Sequence, residues 1–226
     1  MRLLIDESNL DEIKRIWDIY PMDGVTTNPT ILFKNGKPPF ESLMEIRNFI
    51  GRESELHVQV AARDFHGMIK DAKRILEVLG ESTFVKIPVT EDGLKAIKAL
   101  SKSGARLTAT AIYGPMQAFL AGKAGACYAA PYINRMDNLG ANGVKAAKQM
   151  NDILKINGLG TEVLAASFKN SQQVIELCEH GIGACTISPE VMDALILNES
   201  VERAVDVFIK DFEDLCGKGV SMNDCK

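Results

Sequence analysis

Seven polar side chains recur along the chain, each at or near the end of a short run of the kind that forms a strand. They are Asp6, Asn28, Gln59, Lys86, Thr110, Tyr132 and Ser167. An amine, a carboxylate and several hydroxyl and amide groups suffice for nucleophilic attack on a carbonyl and for the proton transfers that accompany it. We therefore begin from the hypothesis that these side chains meet at one site.

Lys86 is the candidate nucleophile of this set. Strand alternation would point Lys86 and Phe84 to one face and the intervening Val85 to the other. A lysine that faces a closed interior loses hydration, and burial lowers the pKa of its ammonium. The resulting free amine can attack a ketone and form a Schiff base. Lysines that snorkel or form ion pairs are commoner in proteins generally, but the polar neighbours at the strand ends favour the catalytic interpretation.

The elements that would carry these residues are parallel strands joined by helices, because β-type runs alternate with segments of helical period from end to end. The sequence predicts strands at residues 2–6, 24–28, 56–61, 83–88, 106–111, 127–132, 162–167 and 184–188. This pattern predicts an α/β fold, a single-domain (β/α)8 TIM barrel over residues 1–226. The C-terminal strand ends of such a barrel converge, and the seven polar side chains would meet there.

A doubly wound open sheet is the rival fold. Its dinucleotide-binding form needs a glycine-rich turn after the first strand, and residues 6–9 (DESN) contain no glycine, so neither that fingerprint nor a phosphate-binding P-loop is present there. The sequence Gly181-Ile182-Gly183 is better interpreted as a helix-to-strand turn. Ser8 is a possible N-cap of the first helix, which would leave Asp6 free to point inward.

Composition limits the function classes. The chain has 226 residues, 46% hydrophobic and 25% charged, which is typical of a globular protein. A formal net charge of -4 gives no electrostatic reason to bind nucleic acid or an anionic membrane. The sequence has neither a signal-peptide apolar region nor a run of about 18 apolar residues. We expect a soluble, cytoplasmic protein without nucleic-acid or membrane partners.

The residues that bind metals and form disulfides are few and scattered. The chain has five cysteines without a CxxC pair and three histidines, none at i, i+4 spacing from another. This pattern suggests neither a disulfide framework nor a zinc site. We expect reduced, mostly packing thiols and an enzyme that needs no metal or other cofactor.

The segment from about residue 200 to 226 predicts a C-terminal helix and tail. Its apolar stripe at helical spacing consists of Val201, Val205, Phe208, Phe212 and Leu215. The stripe could pack on the chain's own barrel or dock onto a neighbouring subunit, and the sequence leaves both possibilities open.

Seven stretches of the sequence resemble a known family. They resemble the small transaldolase family, which includes the fructose-6-phosphate aldolases. In chain order they are IDESN, DGVTTNPTI, HVQV, FVKIPVT, ATAIYGPMQA, YAAPYINRMDN and VLAASFKNSQQ. No single stretch is specific, but the ordered series over nearly the whole chain is. The resemblance implies that Lys86 forms the Schiff base and that Asp6 contacts the donor hydroxyls and assists proton movement. It also implies that Thr26 and Asn28 help to hold a bound dihydroxyacetone unit.

The same resemblance assigns the remaining site residues. Gln59, Thr110 and Tyr132 correspond to the residues that position a catalytic water, the proton relay of the reaction. Arg135 and Ser167 correspond to phosphate-binding positions, with Asn134 beside them. The alternative for Arg135 is that its guanidinium forms only a surface salt bridge.

The activity that the resemblance implies is that of a class I, metal-independent aldolase, which forms fructose 6-phosphate from dihydroxyacetone and glyceraldehyde 3-phosphate and cleaves it. Transaldolase-like members tend to have Glu at the position of Gln59 and Phe at that of Tyr132, so the residues present favour the aldolase. One alternative is a transaldolase that transfers a dihydroxyacetone unit between sugar phosphates in the pentose phosphate pathway. Another is a noncatalytic sugar-phosphate-binding barrel.

The resemblance further implies a homo-oligomer, a pentamer or a ring-built homodecamer. The sequence departs from familiar members at Phe33-Lys34 and at residues 63–66, which we place on loops after the second and third strands. These side chains could reshape the mouth of the site or be ordinary solvated loop residues.

Overall fold

A closed barrel of parallel strands forms the core of the computed structural model, which describes residues 1–225. Neighbouring strands pair in chain order, and β8 closes the barrel on β1. The strands are β1 (Arg2–Asp6), β2 (Gly24–Thr26), β3 (Glu55–Gln59), β4 (Phe84–Pro88), β5 (Leu107–Ile112), β6 (Tyr128–Pro131), β7 (Glu162–Ala165) and β8 (Ala184–Ile187). The predicted (β/α)8 barrel is confirmed.

Helices follow every strand. They are α1 (Leu10–Ile19), α2 (Pro29–Asn35), α3 (Pro39–Ile50), α4 (Phe65–Leu79), α5 (Glu91–Ser101), α6 (Pro115–Ala124), α7 (Ile133–Asn138), α8 (Gly143–Ile156), α9 (Ser171–His180), α10 (Pro189–Asp193) and α11 (Glu199–Cys216). Gly181, with φ of 73°, ends α9 in the left-handed region, so the predicted helix-to-strand turn is confirmed. Among the described residues, no helix combines the length and the apolar character that crossing a membrane requires.

The direction of the Lys86 side chain can be read from Phe84, which lies two residues earlier on β4. Phe84 packs in a buried cluster with side chains of strands from other parts of the barrel, including Leu4, Tyr128 and Leu164. Because these strands meet only inside the barrel, Phe84 faces the interior. Lys86 lies two residues further along β4 and therefore faces the interior as well.

Two local predictions need correction. The N-cap of α1 is Asn9, whose side chain accepts a hydrogen bond from the Asp11 amide at 3.0 Å, whereas Ser8 Oγ donates to the carbonyl of Ile31 at 3.0 Å. The helix thus begins one residue later than a Ser8 cap requires. Phe33 and Lys34 lie within α2 and not on a loop, because Pro29 starts that helix almost directly after β2.

Phe65 and His66 also lie in a helix and not on the predicted loop, whereas Arg63 and Asp64 precede it as predicted. Asp64 is the N-cap of α4 and accepts a hydrogen bond from the Gly67 amide at 3.0 Å. Phe65 and His66 form the first turn of that helix.

A second compact unit begins at Asp193 and contains α11. Asn198 caps this helix by accepting a hydrogen bond from the Ser200 amide at 2.9 Å. The apolar stripe is exposed at Phe208 and Leu215, with 68% and 81% of their surface accessible. The single-domain assignment of residues 1–226 stays a prediction.

Candidate active site

Lys86 is a buried lysine that forms no ion pair with a carboxylate among residues 1–225. Only 5% of its surface is accessible, and its Nζ donates a hydrogen bond to the carbonyl of Thr27 at 2.8 Å. Burial lowers the pKa of Lys86, and the negative charge of Asp6 opposes that shift in part. The structure therefore favours the neutral amine that a nucleophilic lysine needs.

Asp6 is held by a chain of two threonine hydroxyls. Thr26 Oγ1 donates to Asp6 Oδ1 at 2.6 Å, and Thr26 Oγ1 lies 2.6 Å from Thr186 Oγ1. Since the hydrogen of Thr26 is committed to the carboxylate, Thr186 must donate to Thr26. This chain fixes the orientation of the carboxylate at the C-terminal end of β1.

Thr110 and Tyr132 meet on the far side of the barrel mouth. Thr110 Oγ1 and the Tyr132 hydroxyl are 3.1 Å apart. The next residue, Ala111, has φ of 57°, and the register of β5 shifts between Ala109 and Ile112. Bulges of this kind change the direction of side chains beside sites, and left-handed non-glycine residues cost about 1–3 kcal/mol each.

Gln59 is the register partner of Lys86 on β3. Its Oε1 is buried and has no hydrogen-bond partner within residues 1–225. Buried polar atoms are normally satisfied, so this carbonyl oxygen is available to accept a hydrogen bond from a water or a substrate hydroxyl.

Arg135, Asn134 and Ser167 lie together at the ends of β6 and β7. The Arg135 guanidinium stacks 4.2 Å from the centre of the Tyr132 ring, and no ion pair to it is found among the described residues. This contact speaks against the surface salt bridge. The backbone N–H of Asn134 donates a hydrogen bond to the backbone carbonyl of Ser167 at 2.8 Å. Ser167 has φ of 63°, in the left-handed region.

Asn28 contributes less to the site than its position suggests. Its Oδ1 accepts a hydrogen bond from the Ile31 amide at 3.1 Å and so caps α2. The side-chain NH₂ and the second lone pair of Oδ1 remain for a ligand.

Sequence reasoning missed Thr186 and the Thr27 carbonyl. Alternation along β8 would have placed Thr186 on the interior face, whereas the backbone contact of Lys86 has no signal in the sequence. Within residues 1–225 no group of three or more His, Cys, Asp or Glu side chains could hold a metal ion.

A groove of about 630 Å³ lies outside the barrel, between α2, α3 and α4. It is lined mainly by apolar side chains, among them Phe33, Phe40, Leu43, Val58 and Val60. Val58 and Val60 alternate with Gln59 and therefore face away from the interior. Lys86 does not line this groove, although Gln59, its register partner on β3, does.

The fold and the site define a class of protein: a (β/α)8 barrel with a buried lysine among polar side chains at the C-terminal ends of its strands. The family described as "Transaldolase/Fructose-6-phosphate aldolase" matches residues 3–225. The chain belongs to this family, and it is an enzyme of the aldolase or transaldolase type.

Two relatives illustrate the match. A "Probable fructose-6-phosphate aldolase" of Streptococcus pneumoniae (strain ATCC 700669 / Spain 23F-1) is 42% identical over 213 residues, 94% of this chain and 96% of that protein. A "Probable transaldolase" of Hydrogenobaculum sp. (strain Y04AAS1) is 35% identical over 218 residues, 96% of this chain and 99% of that protein. The predicted resemblance and the predicted enzyme are confirmed.

A solved structure shares the fold. The dipeptide epimerase of Enterococcus faecalis V583 superposes with a TM-score of 0.56 at 15% identity, over 82% of this chain and 55% of the epimerase. At this identity the likeness concerns architecture alone.

Proposed function

We propose that this chain is a Schiff-base aldolase that cleaves fructose 6-phosphate into dihydroxyacetone and glyceraldehyde 3-phosphate and catalyses the reverse reaction. The observation that carries the proposal is the buried amine of Lys86, whose pKa is lowered by burial. The polar groups around this amine are those that a carbonyl substrate would need.

The first step joins the substrate to the enzyme. The neutral Nζ of Lys86 attacks the C2 carbonyl, and the carbinolamine that forms loses water to give a protonated imine. The neutral amine can donate one hydrogen to the Thr27 carbonyl and still present its lone pair to the substrate carbon. The Thr110 and Tyr132 hydroxyls can pass the required protons through a bound water.

The second step breaks the carbon-carbon bond. The electrons of the C3–C4 bond move into the protonated imine and give an enamine, and the proton of the C4 hydroxyl passes to the bound water. Glyceraldehyde 3-phosphate leaves as the aldehyde. Asp6, oriented by Thr26, contacts the donor hydroxyls.

The last steps release the donor. The enamine is protonated at C3, and water attacks the imine carbon so that dihydroxyacetone leaves and the amine of Lys86 is restored. Gln59 Oε1, which has no other partner among the described residues, can accept a hydrogen bond from this water.

The phosphate would bind at the ends of β6 and β7. Arg135 offers a charged, forked donor that the Tyr132 ring orients. The backbone N–H of Asn134, the residue before Arg135, donates a hydrogen bond to the Ser167 carbonyl and so joins the ends of β6 and β7. The start of α9, four residues after Ser167, adds N–H groups of the appropriate polarity.

A transaldolase is the second candidate, favoured by the 35% identical relative that carries this name. The two activities differ in the fate of the enamine. An aldolase protonates it, whereas a transaldolase keeps it until an aldehyde acceptor arrives. The hydroxyl of Tyr132, paired with Thr110, supports the aldolase because it can order the water that protonates the enamine.

The test is acceptor dependence. Coupled assays follow glyceraldehyde 3-phosphate and dihydroxyacetone from fructose 6-phosphate, with and without erythrose 4-phosphate. Release of both products without acceptor is expected. Turnover that requires erythrose 4-phosphate would replace the aldolase by the transaldolase.

A homo-oligomer, as a pentamer or decamer, belongs to the same proposal. The exposed stripe of α11 supports it, because apolar side chains such as Phe208 and Leu215 are usually covered in the working assembly. Light scattering of the wild type and of Phe208→Asp tests this, and a monomeric wild type would contradict it. The cytoplasmic location and the place in the pentose phosphate pathway stay predictions.

A further inference from the structure

Two exposed cysteines meet at the end of α11. Cys225 Sγ lies 3.9 Å from Cys216 Sγ, within the contact distance of two sulfur atoms. Both residues are exposed, so they are not the packing thiols that the sequence predicts. Cys185, by contrast, is buried, and burial raises the pKa of its thiol well above the ordinary value.

The chain between the two cysteines turns back on the helix. Cys216 is the last residue of α11, and Gly217 and Gly219 follow with φ of 106° and 74°. Glycine adopts these left-handed conformations at little cost, so the reversal is encoded in the sequence. The Gly219 amide donates to Glu213 Oε1 at 3.2 Å, which ties the turn to the last part of the helix.

The second half of the tail is also fixed. The amide and the hydroxyl of Ser221 both donate to Asp224 Oδ2 at 2.8 Å, and a short 3₁₀ helix spans Met222–Asp224. Cys225 follows directly, and its thiol also lies 3.6 Å from the Ser221 carbonyl. The two sulfur atoms are thus brought together by contacts other than their own.

The two thiols, Cys216 and Cys225, influence each other's ionisation. Desolvation, together with the hydrogen bond and the charge of Cys225, raises the pKa of Cys216. Two adjacent thiolates repel, so the first thiolate forms with a protonated thiol beside it. A raised pKa lowers the fraction of thiolate near pH 7, so the pair is a candidate because of its geometry, which holds an attacking and a resolving sulfur in contact.

We propose that Cys216 and Cys225 are a thiol-oxidation site at which a peroxide closes an intramolecular disulfide that ties the C-terminal tail to the end of α11. One thiolate attacks the peroxide O–O bond and becomes a sulfenic acid, and the peroxide leaves one oxygen as water after protonation. The second thiolate attacks the sulfenic sulfur and expels the other oxygen as water. Two thiols are oxidised by two electrons, and one hydrogen peroxide is reduced to two waters.

Closing the bond must bring the two sulfur atoms from 3.9 Å to about 2.05 Å, the length of a disulfide. The flexible glycines between Cys216 and Cys225 can absorb the closure. In a reducing compartment the pair stays open, so the site responds to oxidant and is not a permanent crosslink.

The test uses the full-length protein with one equivalent of hydrogen peroxide. We expect the intact mass to fall by about 2 Da, as two hydrogens are lost. Trypsin separates the cysteines into the peptides 211–218 and 219–226, because Lys210 and Lys218 precede them. The linked pair of these two peptides is the expected product, and the rate should rise with pH as the thiolate forms.

Three variants control the result. Cys216→Ser and Cys225→Ser should each abolish the 2 Da loss and leave a sulfenic or more oxidised sulfur on the remaining cysteine. Cys178→Ser, which removes another exposed cysteine, should react like the wild type. A linked pair that contains Cys178, a crosslinked dimer on a non-reducing gel, or sulfonic acid without any linked peptide would each overturn the proposal. None of these readouts depends on aldolase activity.

Discussion

Both ends of the barrel interior contain buried polar side chains, but these side chains differ in how many hydrogen-bond partners they have. At the C-terminal end, Lys86 makes one hydrogen bond to a carbonyl and Gln59 Oε1 has no partner within residues 1–225. At the N-terminal end, Glu55 accepts hydrogen bonds from the Tyr128 hydroxyl at 2.9 Å and lies 3.1 Å from His57 Nε2. His57 Nδ1 in turn lies 2.8 Å from the Thr108 hydroxyl.

The hydrogen bonds at the N-terminal end also determine the protonation states of His57 and Glu55. Burial lowers the pKa of His57 to about 4, although the hydrogen bond and charge of Glu55 oppose this shift, so the ring is neutral near pH 7. The pKa of Glu55 is lowered although its burial opposes this, because His57, Tyr128 and Arg2 stabilise the carboxylate. An ionised carboxylate only accepts hydrogen bonds, so Nε2 carries the ring hydrogen and Thr108 donates to Nδ1.

The comparison separates buried polarity from reactivity. A network whose members satisfy one another stabilises the core, whereas unused hydrogen-bonding capacity beside a desolvated amine is available to a substrate. Changes at the C-terminal end should therefore alter turnover, and changes at the N-terminal end should alter stability.

The largest expected effect is that of Lys86→Met. Methionine fills a similar volume without a nucleophile, so cleavage of fructose 6-phosphate should fall by about 10⁴-fold or more. The melting temperature should stay the same or rise, because a buried amine is removed. Measurable turnover, or a large loss of stability, would contradict the distinction between the two ends.

Tyr132→Phe should have the next largest effect. The ring that supports Arg135 is retained and only the hydroxyl beside Thr110 is lost. Acceptor-free cleavage should fall by about 10²–10³-fold, the range for a lost proton-transfer group, while transfer to erythrose 4-phosphate falls less. Equal losses in both assays would show that the hydroxyl does not control the fate of the enamine.

The N-terminal network should make stability depend on pH. His57 titrates at 6.5 when unfolded and at about 4 when folded, so its contribution is complete above pH 6.5 and is lost as the pH falls towards 4. A difference of this size corresponds to about 3 kcal/mol of unfolding free energy. Urea denaturation at pH 7 and pH 4.5 measures the change.

His57→Phe is the matched control for this pH effect. Phenylalanine keeps an aromatic ring against Phe84, on which His57 stacks at 4.5 Å. The variant should be less stable at pH 7 but should lose less stability on acidification. An unchanged slope would mean that other groups cause the acid sensitivity.

The smallest expected effect is that of Thr186→Val. This change removes the hydroxyl that donates to Thr26 and leaves the Asp6 carboxylate less firmly oriented. A loss of one neutral hydrogen bond corresponds to about 3–10-fold in kcat/KM. Thr186→Ser should restore the rate, and a failure to do so would point to packing of the methyl group instead.

Alternation and strand ends predicted most of the fold and the inward, buried position of Lys86. The run containing Lys86 could be read as a strand because its apolar residues and the following Pro88 define its direction and its end. The bounds of the helices were harder to predict, since Asn9 and Ser8 are both good caps and only tertiary contacts select between them.

The remaining features depend on the backbone or on distant partners. The left-handed Ala111, the carbonyl that Lys86 contacts and the pairing of His57 with Thr108 each depend on strands that are far apart in sequence. Alanine and histidine carry no local signal for such geometry. The contact of Arg135 with the Tyr132 ring likewise requires the short α7 helix that follows β6.

Trapping of the imine tests the central claim most directly. The enzyme is incubated with dihydroxyacetone, reduced with borohydride, weighed intact and digested for peptide mapping. We predict one reduced dihydroxyacetone adduct per chain, on Lys86, and none in Lys86→Met. No adduct in the wild type, or an adduct on another lysine, would contradict the assignment of Lys86 as the nucleophile.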